Sequence, residues 1–249
     1  MAATSSGKDK ILRWTRIIVG GYDLSGDART FSTFENQFGA ANVHGINEEL
    51  VNYLSDGVRE VGISGFRCLM NDTTNRSMDL LDTGDVANQI SVLFGGGGEP
   101  AIPDPAYLLP SREMRIGTSF DTSVGVLDTD FLFDSAQYDA NSSNPLGVVL
   151  ANQQYTVTTE SASHDNEAAT TNGWHANLHV TATASGDYAF TIEHSTDDSG
   201  WATLGTFVAD GSAVTSEHLS GSGTANQYVR FVATRTAGTA TIVCTFARN

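Results

Sequence analysis

The sequence predicts a mainly β protein: an antiparallel β-sandwich or barrel with one short flanking helix, followed by a second β-sandwich-like domain. Three observations lead there. From residue 115 onward strand-like stretches recur near 116–120, 124–133, 146–150, 154–160, 174–183, 187–195, 202–208, 227–236 and 239–247, with turn residues between them. Such short, regular spacing fits antiparallel sheets rather than alternating βαβ units. Only one segment, NEELVNYLSDG, carries both the apolar period and the end signals of a helix. Finally, 249 residues with 40% hydrophobic content spread along the chain suit two modest globular domains.

Taken in order, residues 1–16 form an N-terminal arm: MAATSSGKDK has no apolar run of the signal-peptide kind. No stretch approaches the roughly 20 apolar residues of a membrane-spanning helix, so the expectation is a soluble protein without a membrane partner. A first β domain covers 17–140. It opens with ILRWTRIIVGGYDLSG, a strand running into a glycine turn, and a loop is expected through 30–46. The helix near 47–56 begins at a capping Asn47, packs Leu50, Tyr53 and Leu54 on one face and ends at Gly57. VREVGISGFRCLMND (58–72) reads as a strand, SMDLLDTG (77–84) as a helical turn and NQISVLFGG (88–96) as a strand.

Residues 95–112, with four consecutive glycines and most of the prolines, read as a long exposed loop, since proline supplies no ladder donor. The Asp/Asn/Ser-rich DANSSN at 139–144 marks a boundary, and 145–249 forms the second β domain. Cys68 and Cys244, the two cysteines, lie in apolar stretches and read as buried free thiols rather than a disulfide framework.

The stretch EHSTDDSGW, Glu193 to Trp201, gathers a histidine, hydroxyls, two adjacent carboxylates and an aromatic. It joins two apolar-alternating strands, and Ser, Asp and Gly are the residues that a tight turn selects. It therefore reads as a hairpin turn rather than a catalytic or metal site. In WHANLHV, His175 and His179 have the spacing of a helical zinc pair, but Trp174, Ala176, Leu178 and Val180 alternate as in a strand. Four strand residues span roughly 13 Å, too far for two imidazoles to share one metal. A satisfied or exposed histidine pair is expected.

Gly95 to Gly98 lacks the Lys-Ser/Thr of a phosphate loop, and no nucleophile motif or zinc-spaced cysteine pair is present. The sequence therefore predicts no catalytic residues, no cofactor, no metal and no enzyme activity. In SVGVLDTDFLFDS, Leu127, Phe131 and Phe133 share one strand face, and Asp128, Asp130 and Asp134 share the other. Those acids read as a solvated surface, a calcium site, or the lining of something that must not hold polyanions.

The chain has 29 acidic and 13 basic residues, a formal net charge of −16, and only Lys8 and Lys10 as lysines. Acidic surfaces stay hydrated in strong salt, whereas in dilute buffer self-repulsion opposes the compact state. The composition points to a salt-rich host cytoplasm, such as that of a halophilic archaeon.

GYDLSGDARTFS (21–32), GISGFRCLMND (62–72), IEHSTDDSGWATLGTF (192–207) and QYVRFVATR (227–235) together resemble the major tail proteins that form the tail tube of long-tailed bacterial and archaeal viruses. The pattern is a strand ending in a Ser-x-Asp turn, a following aromatic and a later Tyr-x-Arg strand. Here these are Ser195 to Asp197, Trp201, and Tyr228 to Arg230.

The resemblance implies a tail-tube-like β-sandwich or barrel whose copies form stacked rings of three or six subunits, with 145–249 either Ig-like or a second tube-like domain. It also implies a virion protein, assembled in the host cytoplasm, that conducts genomic DNA. Its partners would be itself, tail terminator and tail-tip or baseplate proteins, and a tape-measure protein and double-stranded DNA held without tight binding. Asp128, Asp130 and Asp134 would then line the lumen. Gly95, Pro100, Pro103, Pro105, Tyr107 and Pro110, with the arm, would make inter-ring contacts. The rival readings are a carbohydrate-binding or adhesion module, using Trp174 or Trp201 to stack on sugars, and a glycoside hydrolase, for which no pair of acids stands out.

The charge analysis predicts that lowering salt from molar to about 0.1 M, where screening reaches about 10 Å, lowers the melting temperature. Thermal unfolding monitored across a salt series checks this, and a rise would overturn the salt-adapted reading.

Overall fold

Runs of β-branched and aromatic residues become strands along most of the chain. The computed structural model describes the backbone of residues 15–30, 32–42, 53–74, 76–81, 87–121, 124–133 and 144–249. Side chains are described for these residues except at 35–42, 53–60, 87, 112–116, 120–121, 124 and 128–133. Strands Thr15–Val19 (β1), Tyr22–Asp23 (β2), Ala28–Thr30 (β3), Thr33–Asn42 (β4) and Tyr53–Leu69 (β5) precede the short helix Ser77–Leu81 (α1). Ala87–Phe94 (β6), Pro105–Asp121 (β7) and Val124–Phe133 (β8) follow. The second half contributes Leu146–Tyr155 (β9), Thr159–Glu160 (β10), His164–Asp165 (β11), Trp174–Ser195 (β12), Ala202–Thr206 (β13), Thr215–Gly221 (β14) and Tyr228–Arg248 (β15).

The strand pairings are antiparallel throughout, as the short spacing of strands and turns required. The main path runs β13-β12-β15-β9-β7-β6-β1-β2; β8 links β7 to β5, and β5 carries β3 and β4. The first half curls so that β4 and β5 face β6 and β7. Phe34 packs against Phe94 and Tyr107, with ring centroids 5.7 and 4.9 Å apart, and the Tyr107 hydroxyl donates to the Gly62 carbonyl at 2.9 Å.

In the second half, β12 and β15 pair from Trp174↔Arg248 to Ser195↔Tyr228, forming one long ribbon with register shifts between Val180 and Tyr188. At these bulges Ser185 (φ 52°) and Gly238 (φ 65°) both take left-handed backbone. A Cβ at Gly238 would stand 1.9 Å from the Ser185 carbonyl oxygen, so only glycine fits. Bulges strengthen bend and twist, and here they let the ribbon fold over itself. One half carries β14 and β9, and the other carries β13, β10 and β11. The halves share a core of Trp174, Leu178, Phe190, Phe231, Ile242 and Phe246, which is a β-sandwich.

The core of the first half, built on Ile17, Ile63, Phe66, Ile90 and Tyr107, shares no residue with it. A small third cluster of Ile18, Leu93, Ala106, Val149 and Val243 connects the two. Cys68 and Cys244 are buried free thiols, one in each large cluster, and burial pushes the Cys244 thiol well above its usual range.

Several expectations require correction. Tyr53 and Leu54 are not on a helix: they lie in β5, opposite Asn42 and Ala41, because pairing along a long ladder overrides local helix propensity. Leu50 and the rest of 47–52 lie outside the described residues. The short helix is α1, within the helical turn expected at 77–84, and buries Ser77 and Leu81. Residues 33–42, expected as loop, form β4.

The loop expected over 95–112 ends at Asp104, and Pro105, Tyr107 and Pro110 belong to β7. Pro105 opens that strand, where a missing donor costs least. Pro110 lies opposite Gln89, whose carbonyl accepts from Gly20, so that pair is not hydrogen-bonded across β6 and β7. On its other side, Pro110 falls between the segments of β7 that pair with β9 and with β8.

Phe231 sits 5.8 Å from both Tyr155 and Phe190, centroid to centroid, and is fully buried. Phe231→Ala is expected to cost about 3–5 kcal/mol in chemical denaturation, and Val208→Ala, at a 91% exposed side chain, within about 0.5 kcal/mol.

Candidate functional site

The EHSTDDSGW segment is a hairpin turn between β12 and β13. Asp197 Oδ1 accepts from the backbone N–H groups of Ser199 and Gly200 at 3.0 Å and from the Ser195 hydroxyl at 3.0 Å. These bonds to its charged form hold the carboxyl well below the usual carboxylate range. Asp198 takes the left-handed conformation, φ 61°. Behind the turn, Arg230 donates to Glu193 at 2.9 and 2.6 Å and to Glu160 at 2.5 Å. Its guanidinium also lies 4.2 Å from the centre of the Trp201 ring. The Ser-x-Asp turn, the aromatic and the Arg of the Tyr-x-Arg strand thus form one cluster that fastens the β12–β13 hairpin to β15, which is an architectural role.

The histidine strand is a strand, as the alternation predicted, and the pair is buried rather than exposed, each ring bonded through Nε2 while Nδ1 has no hydrogen-bond partner among the described residues. Trp174 to Val180 are all buried, on both faces of β12. Even-numbered side chains enter the sandwich core, while Asn177 and His179 meet β6 of the first half and His175 meets the segment that leads into β9. The Asn177 amide donates to the Ile90 carbonyl at 2.9 Å, and its oxygen accepts from His218 Nδ1 at 2.8 Å. His179 Nε2 is 2.9 Å from the Ser91 hydroxyl, which is 3.0 Å from that of Thr245. His175 Nε2 approaches the Asn144 carbonyl at 2.6 Å.

Arg16 closes this polar seam, donating to Asp23 at 2.9 Å and to the Asn152 side-chain oxygen. Burial first, and the Arg16 charge second, depress the His179 pKa to about 3, so the imidazole is neutral. Among the described residues no group of three or more His, Cys, Asp and Glu side chains is arranged to hold a metal ion. No described helix is long and apolar enough to cross a membrane.

The remaining sequence-derived residues are dispersed. Asp128 pairs in register with Arg67 on β5 and Gly117 on β7, and Asp130 pairs with Arg115. Their side chains lie outside the described residues, as does the whole of Asp134. Of the proposed inter-ring residues, Pro103 and Pro105 are exposed, but Gly95, Pro100 and Pro110 are buried. Tyr107 is 1% exposed and is a core residue, because its ring and hydroxyl both find partners inside the first half. Sequence reasoning missed Ser91, Asn177 and His218, since their partners lie far away along the chain. The one local signal was that Asn177 shares a strand face with His175 and His179, between apolar neighbours.

No protein-family model matches the chain, and no curated protein matches it. Among solved structures, the crystal structure of the SPP1 Dit (gp 19.1) protein, described as a paradigm of the hub adsorption apparatus in phages infecting Gram-positive hosts, overlays with a TM-score of 0.29 at 13% identity. The overlay covers 94% of this chain and 99% of that one. So loose an overlay bears on neither fold nor function.

Two outcomes follow from the seam. Asn177→Leu strands the His218 donor and the Ile90 carbonyl and is expected to cost about 2–5 kcal/mol, read from denaturant midpoints. For His179 the folded pKa lies below the unfolded value of about 6.5, so its contribution is complete above that pH and is lost as pH falls toward about 3. Between pH 7.5 and 5 the wild type should lose about 2 kcal/mol more than His179→Gln does. Equal losses in urea titrations at the two pH values would contradict a buried neutral imidazole.

Proposed function

We propose that the chain is a structural virion protein whose copies close into rings, the rings stacking into a tail tube through which genomic DNA passes. The observation that carries this reading is the pairing pattern. Among the described residues β13 and β14 each pair only with β12, and β4 only with β5, so the described sheets end in strands with one edge to which no described strand is paired. Ring closure satisfies such edges with those of a neighbour and removes an aggregation liability.

The net charge of −16 supports the same function. A conduit lined by carboxylates repels phosphates, whereas each Lys or Arg contact would release counterions and retain the strand. Asp128, Asp130 and Asp134 are assigned to that lining. The protein acts as a scaffold and not as a catalyst, with itself, the proteins at the tube's two ends and an internal tape-measure protein as partners.

The carbohydrate-binding alternative needs an exposed indole face. Trp174 is 3% exposed and stacked on Phe246, and one face of Trp201 is covered by Arg230. Neither offers a sugar platform comparable to an open ring.

Electron microscopy of the purified protein in molar salt is expected to show rings or tubes with a central hole and three- or six-fold subunit symmetry. Persistent monomers under several salt conditions would overturn the proposal and favour a binding module.

A further inference from the structure

Val208 is 91% exposed, the most exposed of the large hydrophobic side chains described. Isolated exposed apolar residues are ordinary, but this one is held with unusual care. The two carboxylate oxygens of Glu217 on β14 accept from the Val208 N–H at 3.0 and 2.9 Å, and one accepts from the Ala209 N–H at 2.8 Å. Immediately before it, Phe207 is buried in the sandwich core and its N–H donates to the Phe190 carbonyl at 3.0 Å. Just after it, the Asp210 carbonyl accepts from Tyr188 at 2.8 Å. The loop is therefore pinned on both sides, with Val208 and Asp210 exposed; Asp210 Oδ1 accepts from the Ser212 N–H at 2.9 Å, which fixes the carboxylate at the loop surface. A rigid apolar knob loses little conformational entropy on docking.

On the far side of the same sandwich is an open groove of about 500 Å³. Leu146, 59% exposed, and the exposed Ala168 and Ala169 rim it, and Gly147 and Phe246 contribute to its wall. Arg248 supplies its positive charge. Among the described residues the Arg248 guanidinium is bound by the carbonyls of Asn166 and Ala168 and by no carboxylate, although Glu167 acts on it through space. In a chain with 29 acids against 13 bases, an arginine without a carboxylate partner is a natural receptor for an incoming one.

Resting on the ring reading above, we infer that the Phe207–Ser212 loop of one copy docks into this groove of the next, Val208 against Leu146 and the Ala168–Ala169 rim and Asp210 toward Arg248. The occupant is a second copy of this chain because knob and groove match in both polarity and charge. They also lie on opposite sides of the β12–β15 ribbon, with β13 and β14 outside β12, and β9 outside β15. A contact between two different surfaces on opposite sides of one subunit is head-to-tail, the kind that closes rings.

The test mixes two full-length variants, Val208→Cys and Leu146→Cys, in molar salt with a short bismaleimide; the native Cys68 and Cys244 are buried and protected. Both positions are exposed, so neither change threatens the fold. The mixture is expected to give at least about tenfold more crosslinked dimer than either variant alone, because docking raises the effective concentration of the two thiols. Val208→Asp, imaged in parallel, is expected to lose its rings while keeping the wild-type melting temperature. Rings without the mixed crosslink, or crosslinking of Val208→Cys to itself, would overturn this interface and leave the tube reading intact. Absence of both rings and crosslinks would overturn both.

Discussion

The first seven residues of β12 are the constraint on which the rest of the molecule depends. Trp174 to Val180 are buried on both faces, so this short run must satisfy two environments at once. Its even positions fill the sandwich core beside β15, and two of its odd positions carry the amide of Asn177 and the imidazole of His179 that meet β6. A strand in that position cannot slip by one residue, since a slip would exchange Leu178 with Asn177 and place an amide in hydrocarbon and an aliphatic chain against unpaired carbonyls. The register of the whole β12–β15 ribbon follows from that restriction, and so does the placing of β9 and β14 beside it.

The seam also shows how polar groups join two β layers. Ile18, Leu93, Ala106, Val149 and Val243 supply apolar contact, while Ser91, Asn177, His179, His218 and Thr245 supply directed bonds. Apolar contact tolerates sliding, but hydrogen bonds between fixed partners do not. The network thus favours one arrangement of the two sheets, because its directed bonds are lost if the layers slide. Gly221 belongs to the same economy of space: a Cβ there would stand 2.8 Å from the Trp174 ring, which lies flat against the strand backbone.

Much of this architecture was legible in the residues. The strand read at 124–133 is β8, the alternation of Tyr188, Phe190 and Ile192 is that of β12, and Asp197 sits in the turn that its Ser-Asp-Gly chemistry selects. What was not legible depended on partners distant in sequence. Tyr53 and Leu54 have helical spacing but are claimed by the ladder to β4, and TSEHLSG becomes β14 only because β12 offers it an edge. Tyr107 looked like loop because four prolines surround it, yet Pro105 and Pro110 fall where no ladder donor is required. The seam was hidden for the same reason: Ser91 and Thr245 are 154 positions apart, and neither carries a local sign of the other.

The joining cluster has a consequence for biosynthesis. Ile18, Leu93 and Ala106 are translated long before Val243, which completes the cluster, and Ser91 long before Thr245. During synthesis the first half of the molecule can assemble its own core, but its outer face stays bare until β15 arrives. An exposed apolar and polar strip of this kind is a natural landing site for a chaperone or for another nascent chain.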